Sequence, residues 1–123
     1  MKIFFVGIHN KPGMEPLDIR TKTGRIVDMM ICDYDPIECV KTNLCDLDYL
    51  PADKTIIMAQ SLIWCEKYKP EADDRIILLG KWVQKNFLYS ASHIIKVNHP
   101  ASIYGYKNLM KYLNDVQMKM YFS

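Results

Sequence analysis

Lys2-Ile3-Phe4-Phe5-Val6-Gly7 is the stretch from which the fold can be read: an unbroken run of β-prone apolar residues stopped by a glycine. A strand wetted on one face alternates apolar and polar residues. A continuous apolar run of strand length instead belongs in the middle of a sheet covered on both sides, as parallel sheets are. Downstream, residues 9–22 hold Pro12, Gly13 and Pro16 within a few positions, which excludes a regular helix and reads as a loop. The first helix is expected over about 23–33, with Thr23 as N-cap, Ile26, Val27, Met30 and Ile31 as its apolar face, and Asp35-Pro36 as its stop.

The alternation continues along the chain. A second strand is expected over 38–44, ending at Thr42-Asn43-Leu44, followed by an acidic loop with Asp46 and Asp48. Residues 52–69 read as a helix from the apolar positions Ile56, Met58, Ala59, Leu62, Ile63 and Cys65, ended by Pro70. Residues 75–79 give a third buried strand, Gly80 a tight turn, 81–88 a short helix with Trp82, Val83 and Phe87 inward, 93–98 a fourth strand and 104–121 the last helix. Trp64, Trp82, Met30, Met58, Met110 and Met118 are read as core. This β-α-β-α-β-α-β-α order predicts a three-layer α/β/α sandwich around a mostly parallel four-stranded sheet, built as one domain over 1–123. Ligands of such sheets bind beyond the carboxyl ends of the strands, near the point where strand order reverses. Those ends carry the residues 7–14, Asn43, Gly80 and 99–102.

Composition bounds the rest. With 123 residues, half of them apolar, the chain can bury one core and is too short for two ordinary domains. No apolar run approaches the roughly 20 residues of a bilayer span, and no secretory signal is read at the N-terminus, so no membrane partner and a cytoplasmic setting are expected. Cys32, Cys39, Cys45 and Cys65 have no metal-site spacing and are read as reduced thiols; no metal and no cofactor are expected. A net charge of +2 does not by itself announce nucleic acid.

Gly7-Ile8-His9-Asn10-Lys11-Pro12-Gly13 after the first strand and His99-Pro100-Ala101-Ser102 after the last resemble, in order and strand context, the two end motifs of the uracil-DNA glycosylase superfamily. The first resembles a Gly-x-(Asp/Asn/Ala)-Pro-type loop with extra residues before the proline. The second resembles a His-Pro-Ser-type loop with an alanine inserted. Between them Asn43 looks like the base-recognising asparagine, and Leu17 stands where several subfamilies carry an aromatic that stacks on the base. The resemblance covers nearly the whole chain. It implies a DNA glycosylase that hydrolyses the N-glycosidic bond of uracil or another altered pyrimidine without a metal. The alternative is a non-catalytic relative that binds nucleic acid, a nucleotide or a protein through the same crevice.

Base excision needs the nucleotide flipped from the stack, its edge read and the departing charge stabilised. A carboxamide at Asn43 offers a donor and an acceptor to a uracil edge beside Gly7; its other reading is a cap for the Asp46 loop. His99 is suited to donate toward the pyrimidine O2 as charge develops, or else serves turn geometry. For positioning water, where relatives carry Asp or Asn, Asn10 is preferred and His9 is second. Ser102 is assigned to a flanking phosphate, as N-cap of the last helix, or both. Lys11 and Gly80 are assigned to the DNA backbone, Lys11 as one of a basic group with Arg20, Lys22, Arg25, Lys96, Lys107 and Lys111. Tyr104, with Ile103 and Tyr106, is placed to wedge or stack, core packing being the competing account for Tyr104. Asp18 is read as a solvated or capping aspartate.

Overall fold

The computed structural model describes residues 1–31, 37–47, 49–88 and 92–122. Its elements are β1 (Lys2–His9), α1 (Lys22–Met30), β2 (Glu38–Cys45), α2 (Lys54–Tyr68), β3 (Arg75–Leu79), α3 (Lys81–Asn86), β4 (His93–Val97), a 3-10 turn (Pro100–Ser102) and α4 (Tyr106–Phe122). The strands form one four-stranded sheet in the order β2-β1-β3-β4, every neighbouring pair parallel. The chain is α/β, as its strand-helix alternation predicts.

The unbroken apolar run of β1 has its cause in this order, because β1 is bonded on both edges and covered on both faces. Ile3 and Phe5 pack with Val27 and Met30 of α1 and with Val116 and Met120 of α4. Phe4 and Val6 turn the other way, onto Trp64 of α2 and Val83 of α3. All four β1 side chains are at most 2% exposed, so truncating Phe5 to alanine is expected to cost about 3–5 kcal/mol. The edge strands carry the polar residues instead: Lys41 on β2, and exposed His93 and Lys96 on β4. Charged edges of this kind discourage pairing with another sheet.

Several boundaries and faces differ from the sequence expectations, each for a physical reason. Helix α1 is capped by Thr21, not Thr23: the Thr21 hydroxyl accepts from the Gly24 N–H (3.0 Å) and donates to the Asp18 carbonyl (2.7 Å). The loop crosses the first turn so closely that a Cβ on Gly24 would lie 1.9 Å from the Asp18 carbonyl oxygen. The expected stop at Asp35-Pro36, Cys32 and Asp48 lie outside the described residues. β1 runs on through His9 because the ladder to β2 continues at Gly7↔Asn43 and His9↔Cys45.

Helix α2 shows the largest correction. It buries Ile57, Ser61 and Trp64, while Ile56, Met58, Ala59, Leu62 and Ile63 of the expected face are exposed. Apolar residues lie all round this helix, so spacing alone does not reveal its inward side. What selects the side is Trp64, whose Nε1–H donates to the Thr42 hydroxyl (2.9 Å) while its ring meets Phe4, Tyr68 and Phe87. On α4, Met110 and Met118 are likewise exposed and Met120 is the buried methionine. That helix begins at Tyr106, behind Gly105 at φ +85°, and not at residue 104.

Candidate functional site

The strand order turns at β1: the chain goes from β1 outward to β2, then back across β1 to β3 and β4. At the carboxyl end of a strand where order reverses, the outgoing connections diverge and leave a crevice. A cavity of about 240 Å³ opens there. Its wall includes Gly7 and His9 of β1, Leu17 and Asp18 of the following loop, Asn43 of β2 and His99 from the turn after β4. Gly7, Leu17, Asn43 and His99, separated along the sequence, are thus brought together.

Gly7 is bare by necessity. A Cβ there would stand 2.5 Å from Asn43 Oδ1 and 2.9 Å from Leu17 Cδ2, so only a glycine lets both side chains close over the end of the strand. Leu17 is buried, packs on the core of the α1/α4 face and holds φ +52°, a left-handed conformation that costs a branched residue about 1–3 kcal/mol. Its neighbour Asp18 supplies the restraint. The carboxylate accepts from the Arg20 backbone N–H (2.9 Å), from Glu15 N–H (3.3 Å) and from the Arg20 guanidinium at Nε (3.1 Å) and Nη2 (2.8 Å). Those Arg20 bonds hold the Asp18 carboxyl well below the usual carboxylate range. Asp18 is therefore a capping aspartate.

From the turn after β4, His99 and Ala101 join the wall. Proline at the first turn position gives up no hydrogen bond, and the His99 Nδ1 accepts the Ala101 N–H (3.1 Å) across it. With Nδ1 an acceptor, the neutral imidazole carries its proton on Nε2, for which no partner exists among the described residues. Burial pushes the His99 pKa down, which keeps this neutral tautomer. The ring lies on Gly80, whose φ is +93° and whose added Cβ would sit 3.0 Å from His99 Cβ. Gly80 is thus the seat of His99 rather than part of the cavity wall.

Asn43 is nearly buried, and its Nδ2 donates to Asn10 Oδ1 (2.6 Å); the Asn10 Nδ2 in turn donates to Asp46 Oδ1 (3.0 Å). The Asn10 backbone N–H is held by the Leu47 carbonyl (2.9 Å). Asn10 accordingly stands behind Asn43 and does not line the cavity. His9 does line it, and its Nδ1 is buried without a hydrogen-bond partner.

The remaining candidates divide. Lys11 is exposed at the cavity wall. Ser102 is not the cap of α4: it is exposed, and its hydroxyl donates to the His99 carbonyl (2.7 Å) within the turn. Tyr104 is not core; it is 73% exposed, with the Lys22 ammonium 3.8 Å from its ring centre. Lys22 itself donates to the Ile103 (2.7 Å) and Ala101 (3.3 Å) carbonyls, and so braces the His99 turn. Arg20 is engaged by Asp18 and by the Gly13 carbonyl (2.9 Å). Lys96, Lys107 and Lys111 are exposed. Sequence reasoning missed the brace at Lys22 and the bond from Asn10 to Asp46, since both join residues far apart in the chain and leave no local pattern.

Cys45 and Cys65 are thiols whose pKa burial pushes up, away from reactivity. Among the described residues no three His, Cys, Asp or Glu side chains cluster as metal ligands, and no helix is long and apolar enough to cross a membrane. No protein-family model matches the chain, and no curated protein matches it.

Proposed function

We propose that this chain is a metal-independent DNA glycosylase that removes uracil, or another altered pyrimidine, from DNA in the cytoplasm. The observation that carries the proposal is the convergence of Gly7, Leu17, Asn43 and His99 on one cavity at the reversal of strand order. A flipped pyrimidine would lie against Leu17, with its edge on Asn43 and its O2 facing His99 Nε2–H. In the reaction the C1′–N1 bond breaks, its electron pair leaves on the base, a water oxygen bonds to C1′, and the proton that water gives up ends on the departed base. The His99 donor stabilises the charge that develops on O2, a preorganised contact typically worth about 10²–10³ in kcat. His9 lines the cavity and Asn10 does not, so His9 is the better placed of the two residues considered for orienting that water. Lys11 at the cavity wall would supply a cation, and the exposed Tyr104 and Tyr106, which follow the His99 turn in the chain, would supply stacking faces for the DNA.

One observation favours a second reading, a domain that binds DNA or a nucleotide without cutting. Asn10, the amide expected to hold water, is tied between Asn43 and Asp46. A uracil-containing oligonucleotide incubated with the protein and then heated in alkali separates the two. Strand breaks at uracil that fall about 10²–10³-fold in His99→Ala support the glycosylase. Retention of the oligonucleotide without breaks supports the binding domain, and neither result with either single- or double-stranded DNA discards both.

A further inference from the structure

We infer that Asp46, acting through Asn10, determines which way round the Asn43 carboxamide is held, and thereby which hydrogen-bonding edge the cavity accepts. The inference rests on the glycosylase reading for its substrate, but its structural half stands on the three side chains alone. A carboxylate only accepts hydrogen bonds, whereas a carboxamide donates from one end and accepts at the other. Asp46 Oδ1 therefore compels Asn10 to present Nδ2 to it, at 3.0 Å. That leaves Asn10 Oδ1 as the inner end, and Asn43 must answer with Nδ2, at 2.6 Å. The Asn43 oxygen is thereby turned to the opposite side, where it lies against Gly7 at the cavity wall. Two amides alone can reverse together and keep every bond; a carboxylate at the end of the row forbids it.

The chemical consequence concerns selectivity. Uracil presents an N3–H donor beside the O4 acceptor, and cytosine presents the same pair reversed, an N3 acceptor beside an amino donor. An asparagine free to turn over matches either edge, while one whose Nδ2 is engaged by Asn10 sets its oxygen as the acceptor at the cavity, which meets the N3–H of uracil and opposes the N3 lone pair of cytosine at the same point. Asp46 and Asn10 are positioning residues in this scheme, since neither lines the cavity. The backbone supports the arrangement: Asn10 N–H is pinned by Leu47, and Asp46 N–H donates to the Gln60 side chain (3.2 Å).

The test uses Asp46→Asn, which keeps shape and removes the imposed polarity, and the swap Asp46→Asn with Asn10→Asp, which moves the carboxylate one place along the row and restores it. Binding of free uracil and free cytosine is followed by chemical-shift titration of the whole chain. The ratio of their affinities is expected to fall about tenfold or more in Asp46→Asn, the size of one mispaired buried polar group, and to recover in the swap. In the unliganded protein, the Asn43 Hδ2 protons are expected to gain contacts to Gly7 Hα in Asp46→Asn that are absent from the wild type and from the swap. An unchanged ratio in Asp46→Asn, or a swap no better than the single variant, overturns the inference. A wild type that binds neither base removes the glycosylase reading and the selectivity role together, and the Gly7 contacts then decide whether Asp46 sets the amide at all.

Discussion

At His99 a single backbone hydrogen bond decides the chemistry on offer: Ala101 occupies Nδ1, so the proton must sit on Nε2. Burial adds a pH dependence with a definite sign. The folded pKa lies below the ordinary value of 6.5, so the neutral side chain stabilises the fold fully above that value, and the contribution is lost as pH falls from it through the folded pKa. Melting temperatures of the wild type are therefore expected to fall more steeply on acidification than those of His99→Gln, whose side chain does not titrate there. Gly7 makes the complementary prediction. Gly7→Ala places a methyl against Asn43 Oδ1 and Leu17 Cδ2 and is expected to cost about 1–3 kcal/mol in denaturant unfolding, with loss of base binding. His99-Pro100 was legible in the sequence because a capped turn after a strand needs only neighbouring residues. The placement of His9 and Asn10 was not, because β1 persists two residues past Gly7 through its register with β2, and no local signal reports a partner strand.

At the scale of the element, α2 separates what a sequence pattern can reveal from what packing decides. Its existence follows from its length between breakers, but its orientation does not, since aliphatic residues surround it and a tryptophan bonded to Thr42 chooses the inward side. Trp64→Ala is accordingly expected to destabilise the chain by about 3–5 kcal/mol. Leu62→Ala, at a position 61% exposed, is expected to change stability by no more than about 0.5 kcal/mol, both measured by urea unfolding. The sequence-based choice of face places Leu62 inward beside a core Trp64, and would predict a large loss at both positions. α1 was closer to legible: its apolar face is as expected at Ile26, Val27 and Met30, while its cap moved to the threonine that also closes the Asp18 turn and its end came at Met30, short of the expected 33.

For the whole molecule, the alternation of strands and helices was enough to give the parallel sheet and to point to its carboxyl edge, where the cavity opens. What the sequence withheld was the traffic between distant segments, of which Lys22 is the clearest case. Helix α1 reaches across through this one ammonium to hold the turn that carries His99. Lys22→Met is expected to lower base excision or base affinity several-fold although residue 22 does not line the cavity, and to destabilise the fold by about 1–3 kcal/mol through loss of a charged hydrogen bond. Excision assays and melting curves on the same preparation would show both effects.

The cavity wall is drawn from β1, β2, the loop after β1 and the turn after β4, so no contiguous fragment of the chain contains it. Occupancy and global folding are in consequence one linked equilibrium. Any base that binds does so only to the fully assembled sheet, and at a hundred times its dissociation constant it would add about 2.7 kcal/mol to the stability of every strand at once, protecting even amides far from the cavity against hydrogen exchange by global unfolding.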